Sequence, residues 1–120
     1  YRKPRDTVRI FCDGEDVELQ PQQILYAEMS ARKVCLHLQG ADRALLYTTA
    51  TMADLADLLE NHGFVRTHKS VLVNMEHIRD LQSTRLYLRD GTELPVSSHT
   101  ASAVRKIYTQ WRSAKKWVIG

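Results

Sequence analysis

Residues 64–74 read FVRTHKSVLVN, and this stretch limits the fold more than any other. A basic cluster of Arg66, His68 and Lys69 runs straight into the apolar residues 71–73, and the run closes on Asn74. Such a run predicts a strand with cations at its end. A strand held in a sheet keeps the adjoining loop rigid, and a rigid positive tip suits a polyanion better than a flexible one. The rest of the chain has to supply the sheet.

It does so in short pieces. Residues 8–12, VRIFC, alternate with Val8, Ile10 and Cys12 on one face, and the turn-like Asp13-Gly14 follows. Residues 17–19 predict the return strand, after which Pro21 interrupts pairing and bends the chain into a strand at ILYAE, 24–28. Ser30, Ala31, Arg32 and Lys33 predict a polar, basic loop. In the strand VCLHL, 34–38, the spacing puts Val34, Leu36 and Leu38 on the core face and Lys33, Cys35 and His37 on the other. A turn at 40–42 and a strand at 44–48 complete a second hairpin.

The period then changes. Met52, Leu55, Leu58 and Leu59 fall at helical spacing, with Thr51 as N-cap three residues before Asp54 and Gly63 as a left-handed stop. Beyond Asn74, residues 78–81 and 85–89 predict strands, Asp90-Gly91 is the strongest hairpin-turn signal, and TELPVS, 92–97, predicts the strand after it. Ser97, Ser98, His99 and Thr100 lead into a helix keyed by Val104, Ile107, Tyr108 and Trp111, with Trp111 as core cover or interface. The tail from Lys115 onward has no clear assignment. The reading is a mainly β domain of about eight to ten short strands in small antiparallel sheets, with one internal and one C-terminal helix. It is a single domain over residues 1–120, with its core at about 7–108 and the C-terminal helix and tail at 100–120.

Composition narrows the functional classes. A chain of 120 residues, 43% hydrophobic and 26% charged, is sized for one ordinary hydrophobic core. No apolar run approaches the roughly 20 residues of a membrane helix, and none follows Arg2, Lys3 and Arg5 to make a signal peptide. A cytoplasmic protein with no membrane partner is expected, and the opening at Tyr1 rather than Met reads as a domain from something longer. A net charge of +3 permits nucleic-acid binding, so the placement of charge decides.

Cys12 and Cys35 have no CxxC spacing and read as two buried, reduced thiols. The five histidines (His37, His62, His68, His77 and His99) show no HExxH or other shared-metal spacing. Asp13, Glu15, Asp16 and Glu18 crowd a turn, as a solvated face does, and no phosphate-cradling glycine loop occurs. Neither catalysis nor a metal nor a cofactor is predicted. What remains is three groups at strand ends: Arg32 and Lys33; Arg66, His68 and Lys69; Ser97, Ser98 and His99. Brought together they make a surface for base edges and phosphates; apart they are ordinary solvated loops. Arg66 suits either a phosphate or the carbonyls of its own loop, and Asn74 suits a turn better than DNA.

FVRTHKSVLVN, followed by EHIRDL and then LYLRDGTELPVSS, resembles the LytTR-type DNA-binding domain of bacterial response regulators. Phe64, Arg66, His68, Lys69, Ser70, Val73, Asn74 and Ile78 stand in that family's order and spacing, ILYAE resembles its strand ending in glutamate, here Glu28, and residues 47–64 resemble its linking helix. The resemblance covers about residues 7–108. It implies an elongated, mostly β fold whose loops enter successive major grooves on one face of double-stranded DNA, in place of a recognition helix. Carried over position by position, it implies a first reading loop at Arg32 and Lys33, a second at Lys69 with His68 and Ser70, and a third at Ser98 flanked by Ser97 and His99. The family commonly has an arginine or other large polar residue where Ser98 stands. Serine cannot fork onto a guanine, so His99, Arg105 or Lys106 would have to compensate. The resemblance also implies two copies on direct-repeat half-sites, a dimer on DNA, and an N-terminal receiver or sensor domain upstream. The competing reading is a β-rich protein-interaction module that docks through the apolar C-terminal tail, with basic loops serving solubility.

Overall fold

The computed structural model describes residues 7–40 and 45–119, the last five of them as backbone. The turn expected at 40–42 and the start of the strand expected at 44 fall largely outside the described residues. Ten strands and two α-helices follow in order: β1 (Val8–Cys12), β2 (Glu15–Leu19), β3 (Ile24–Ser30), β4 (Lys33–Leu38), β5 (Leu45–Thr48), α1 (Met52–Leu59), β6 (Phe64–His68), β7 (Val71–Asn74), β8 (Ile78–Leu81), β9 (Arg85–Leu88), β10 (Glu93–Pro95) and α2 (Ala101–Ile119). The fold is mainly β, as its sequence predicts.

The strands form a seven-stranded sheet in the order β2-β1-β5-β4-β3-β7-β6 and a three-stranded sheet in the order β10-β9-β8. All recorded pairings are antiparallel. On one face of the large sheet, Ile10, Cys12, Val34, Leu36 and Leu72 pack with Met52, Leu55 and Leu59 of α1. On the other face, Tyr26, Val65, Val71 and Val73 pack against Ile78, Leu86, Leu88 and Leu94 of the small sheet and Val104 of α2. Strands β3 and β7 are therefore apolar on both sides, and their runs ILYA and VLVN are continuous rather than alternating.

The face of β4 opposite Val34, Leu36 and Leu38, on which the alternation puts Lys33, Cys35 and His37, is itself covered at the last two. Cys35 is buried, and the half-buried His37 ring stacks on Tyr26 at 4.1 Å with Nε2 3.1 Å from Glu28 Oε1. Both cysteines are free and buried as expected, and burial is the main cause holding each thiol above its ordinary pKa. Two predicted helix positions move outward. Leu58 and Ile107 lie on the flanks of their buried stripes and remain exposed, while Met52, Leu55 and Leu59, and Val104, Tyr108 and Trp111, face the cores.

Chain ends of the elements follow local chemistry. The Asp54 N–H donates to Thr51 Oγ1 at 3.0 Å, the predicted cap. A single 3₁₀ turn, Glu60–His62, intervenes before Gly63, which takes the left-handed stop at φ +86°. A β-carbon at Gly63 would stand 2.9 Å from Trp111 Nε1 of α2. Gly63→Ala should therefore combine left-handed strain with a clash, at a cost of about 1–3 kcal/mol, read as a lower denaturant midpoint with unchanged m-value.

Candidate nucleic-acid interface

Strand pairing decides where the three polar groups lie. Glu28 of β3 pairs with Val71 of β7, and the Met29 N–H donates to the Ser70 carbonyl at 2.9 Å. The β3–β4 turn at Ala31 and Arg32 thus sits beside the β6–β7 turn at Lys69 and Ser70. The basic loop expected over four residues is shorter, because Ser30 and Lys33 are themselves a cross-strand pair. Ala31 turns the hairpin with φ +56°.

The third group is drawn to the second by Thr67, which is fully buried. Thr67 Oγ1 donates to the Pro95 carbonyl at 2.9 Å, while its own carbonyl accepts from the Ser97 N–H at 2.8 Å and from Thr100 Oγ1 at 3.3 Å. Pairing of β10 with β9 accordingly ends at Pro95, earlier than the strand TELPVS predicts, because proline offers no N–H and the chain past it bonds to β6 and to Thr84 instead. Arg66, His68, Lys69, Ser97, His99 and Thr100 line a cleft of about 610 Å³ at this junction. Thr67 was not legible as a site residue, its one trace a threonine inside the strand FVRTH, whereas Thr100 stands beside Ser97, Ser98 and His99 at the helix boundary with no role assigned to it.

The side chains divide into those that build the tips and those left free. Arg66 Nη2 donates to the Lys69 carbonyl at 2.6 Å, so of its two readings the structure shows the loop brace. His68 Nδ1 accepts from the Ser70 N–H at 3.2 Å and lies 2.9 Å from Ser70 Oγ, which leaves the proton of the neutral ring on Nε2. Ser97 Oγ accepts from the His99 N–H at 3.3 Å and shapes the turn into α2. Arg32, Lys33, Lys69, Ser98 and His99 are exposed. Arg105 is spoken for elsewhere, its Nη2 donating to the Leu81 carbonyl at 2.9 Å, whereas Lys106 is exposed. No acidic residue stands in the first turn of α2, so the positive end of its dipole adds to the cations.

Removing the Arg66 brace should loosen the tip without unfolding the domain. For Arg66→Ala we expect amide exchange at 68–70 to accelerate while global stability falls by about 0.5–1.5 kcal/mol, measured by hydrogen exchange and denaturant titration together.

A family model described as the LytTr DNA-binding domain matches residues 14–109. Among curated proteins, the sensory transduction protein LytT of Oceanobacillus iheyensis is 28% identical over 111 residues, which cover 86% of this chain and 44% of that protein. LytT of Bacillus subtilis is 31% identical over 67 residues, covering 51% of this chain and 28% of that protein. The chain thus spans less than half the length of either relative. A solved LytTr DNA-binding domain from Bacillus cereus shares the fold at a TM-score of 0.71 and 24% identity, covering 84% of this chain and 94% of that one.

Proposed function

We propose that this chain, which belongs to the LytTr DNA-binding domain family, is the DNA-reading part of a bacterial transcriptional regulator and binds double-stranded DNA sequence-specifically through its three loops. The observation that carries the reading is the meeting of three tips at one end of the fold, with the exposed cations Arg32, Lys33 and Lys69 on two of them. In this reading Arg32, Lys33 and Lys69 approach base edges and phosphates in the major groove, where arginine and lysine donate to guanine O6 and N7. His68, with Nε2–H as donor, and Ser70 and Ser97 hold the tips in shape. Ser98 and His99 meet the backbone at the third loop, because serine is too short to fork onto a base.

Two copies on direct-repeat half-sites, each reading successive major grooves, complete the proposal, and a receiver or sensor domain is the natural occupant of the length by which the relatives exceed this chain. Cytoplasmic location follows from DNA as partner; no helix among the described residues is long and apolar enough to cross a membrane. The test is selection of bound duplexes from a random pool. Enrichment of a short motif repeated in one orientation supports the reading; survival of no motif above the starting pool refutes it.

A further inference from the structure

Hydrogen bonds between strand ends order the tips at the loop end of the fold into a row. The β3–β4 turn lies beside the β6–β7 turn through Met29 and Ser70, and the third loop lies beside the second through Ser97 and Thr67. The row does not stop there. The Val96 N–H, next to Ser97, donates to the Thr84 carbonyl at 3.0 Å. That bond sets the β8–β9 turn of Gln82, Ser83 and Thr84 one strand spacing, about 4.8 Å, beyond the third loop. The turn is held firmly. The Gln82 N–H closes it on the Arg85 carbonyl at 2.9 Å, and Arg105 Nη2 of α2 donates to the Leu81 carbonyl at 2.9 Å.

Charge separates the two ends of this row. Past Arg32 and Lys33, strand pairing runs from Val34 through Thr48 and Cys12 to Glu15, so the next hairpin turn on that side is β1–β2, where Asp13, Glu15 and Asp16 are exposed. Phosphates are repelled there. Past Ser98 and His99, the β8–β9 turn exposes Gln82, Ser83, Thr84 and Arg85. The strands of the small sheet carry two carboxylates, and both are engaged. Asp80 Oδ2 accepts from Gln82 Nε2 at 2.9 Å, and Glu93 Oε2 lies 3.8 Å from Arg85 Nη1. The second pairing is loose, with both side chains about half exposed, so solvent screens it and a phosphate can draw the guanidinium away.

We infer that the β8–β9 turn is a fourth contact to DNA, in which Arg85 and the hydroxyls of Ser83 and Thr84 donate to phosphate oxygens flanking the bases under the third loop. The third tip gains most from it. Residues 96–100 carry no lysine or arginine, so a neighbouring cation supplies the attraction that Ser98 and His99 lack. Phosphate contacts fix register and orientation without reading sequence, and this one steadies the third loop over its bases. The inference rests on the DNA-binding reading above and gives each half-site a direction: the contact extends past the third loop and not past the first.

Two measurements with the duplex recovered by selection test it. Arg85→Ala should flatten the dependence of log affinity on log salt by about 0.9, the counterion share of one phosphate, on the selected and a scrambled duplex alike. Ser83→Cys carrying an iron-chelate cleavage reagent should cut the DNA backbone at one flank of each half-site; Cys12 and Cys35 are buried and escape labelling. The same reagent on Ser113→Cys, twelve residues along α2 from Ala101 and so about 18 Å away, should leave that flank intact. An unchanged salt slope, a loss confined to the selected duplex, no cutting from position 83, or equal cutting from both positions would each overturn the inference. The two readings fail separately. If the unmodified chain binds neither duplex, the DNA-binding reading falls and this inference with it; if it binds and the variants behave as it does, only the fourth contact falls.

Discussion

Asn74→Ala is expected to destabilise the domain by about 2–4 kcal/mol, although the side chain touches none of the loops. Asn74 is 2% exposed. Its Nδ2 donates to the carbonyls of Ile24 at 3.0 Å and Pro21 at 3.3 Å, and its Oδ1 accepts from the Glu76 N–H at 3.0 Å. It therefore joins the end of β7 to the start of β3 and caps the short turn leading into β8. Alanine leaves two carbonyls and one amide without these partners in a closed interior, and unmade buried hydrogen bonds cost more than made ones return. Asn74→Asp should be worse, since it removes the donor and aims a carboxylate at two carbonyls. Urea titration of both variants checks this. A loss below about 0.5 kcal/mol for alanine would mean that water takes over the bonds.

Lys69→Ala is expected to act on binding instead of stability. The side chain is exposed and holds the tip of the β6–β7 turn only through its backbone carbonyl, which alanine keeps. Folding free energy should move within about 0.5 kcal/mol, the usual range at surface positions. DNA affinity should fall by about 1–3 kcal/mol, from roughly fivefold to more than a hundredfold, if lysine contacts a base. Anisotropy titrations against the selected duplex and single-base variants of it separate the two roles. Relaxed preference at one or two base pairs assigns Lys69 to a base. Equal weakening on every sequence, with a shallower salt dependence, assigns it to a phosphate.

Much of this architecture was readable because the peripheral strands alternate. β1 shows Val8, Ile10 and Cys12 buried and Arg9 and Phe11 exposed, as period two predicts, and Asp13-Gly14 and Asp90-Gly91 both turn hairpins. The alternation in β4 puts Cys35 and His37 on the face opposite Val34, Leu36 and Leu38, but no local pattern announces that His37 there stacks on Tyr26 of a second core. The candidate site was legible in composition but not in assembly. Basic residues at Arg32 and Lys69 are visible in the chain, but their adjacency depends on β3 pairing with β7 across an intervening helix, a long-range fact. The third loop is fixed by the buried Thr67, whose hydroxyl and carbonyl reach Pro95, Ser97 and Thr100 some 30 residues on. Family resemblance, rather than periodicity, brought those three stretches together before the fold did.

The most direct test of the central claim is a salt titration of the selected duplex against a scrambled duplex of the same length. Sequence reading predicts parallel losses with rising salt, since both duplexes release counterions, with the selected duplex still bound about a thousandfold or more tightly at physiological ionic strength. If the two curves coincide, and binding to both vanishes as salt approaches that level, the loops hold charge but read no sequence.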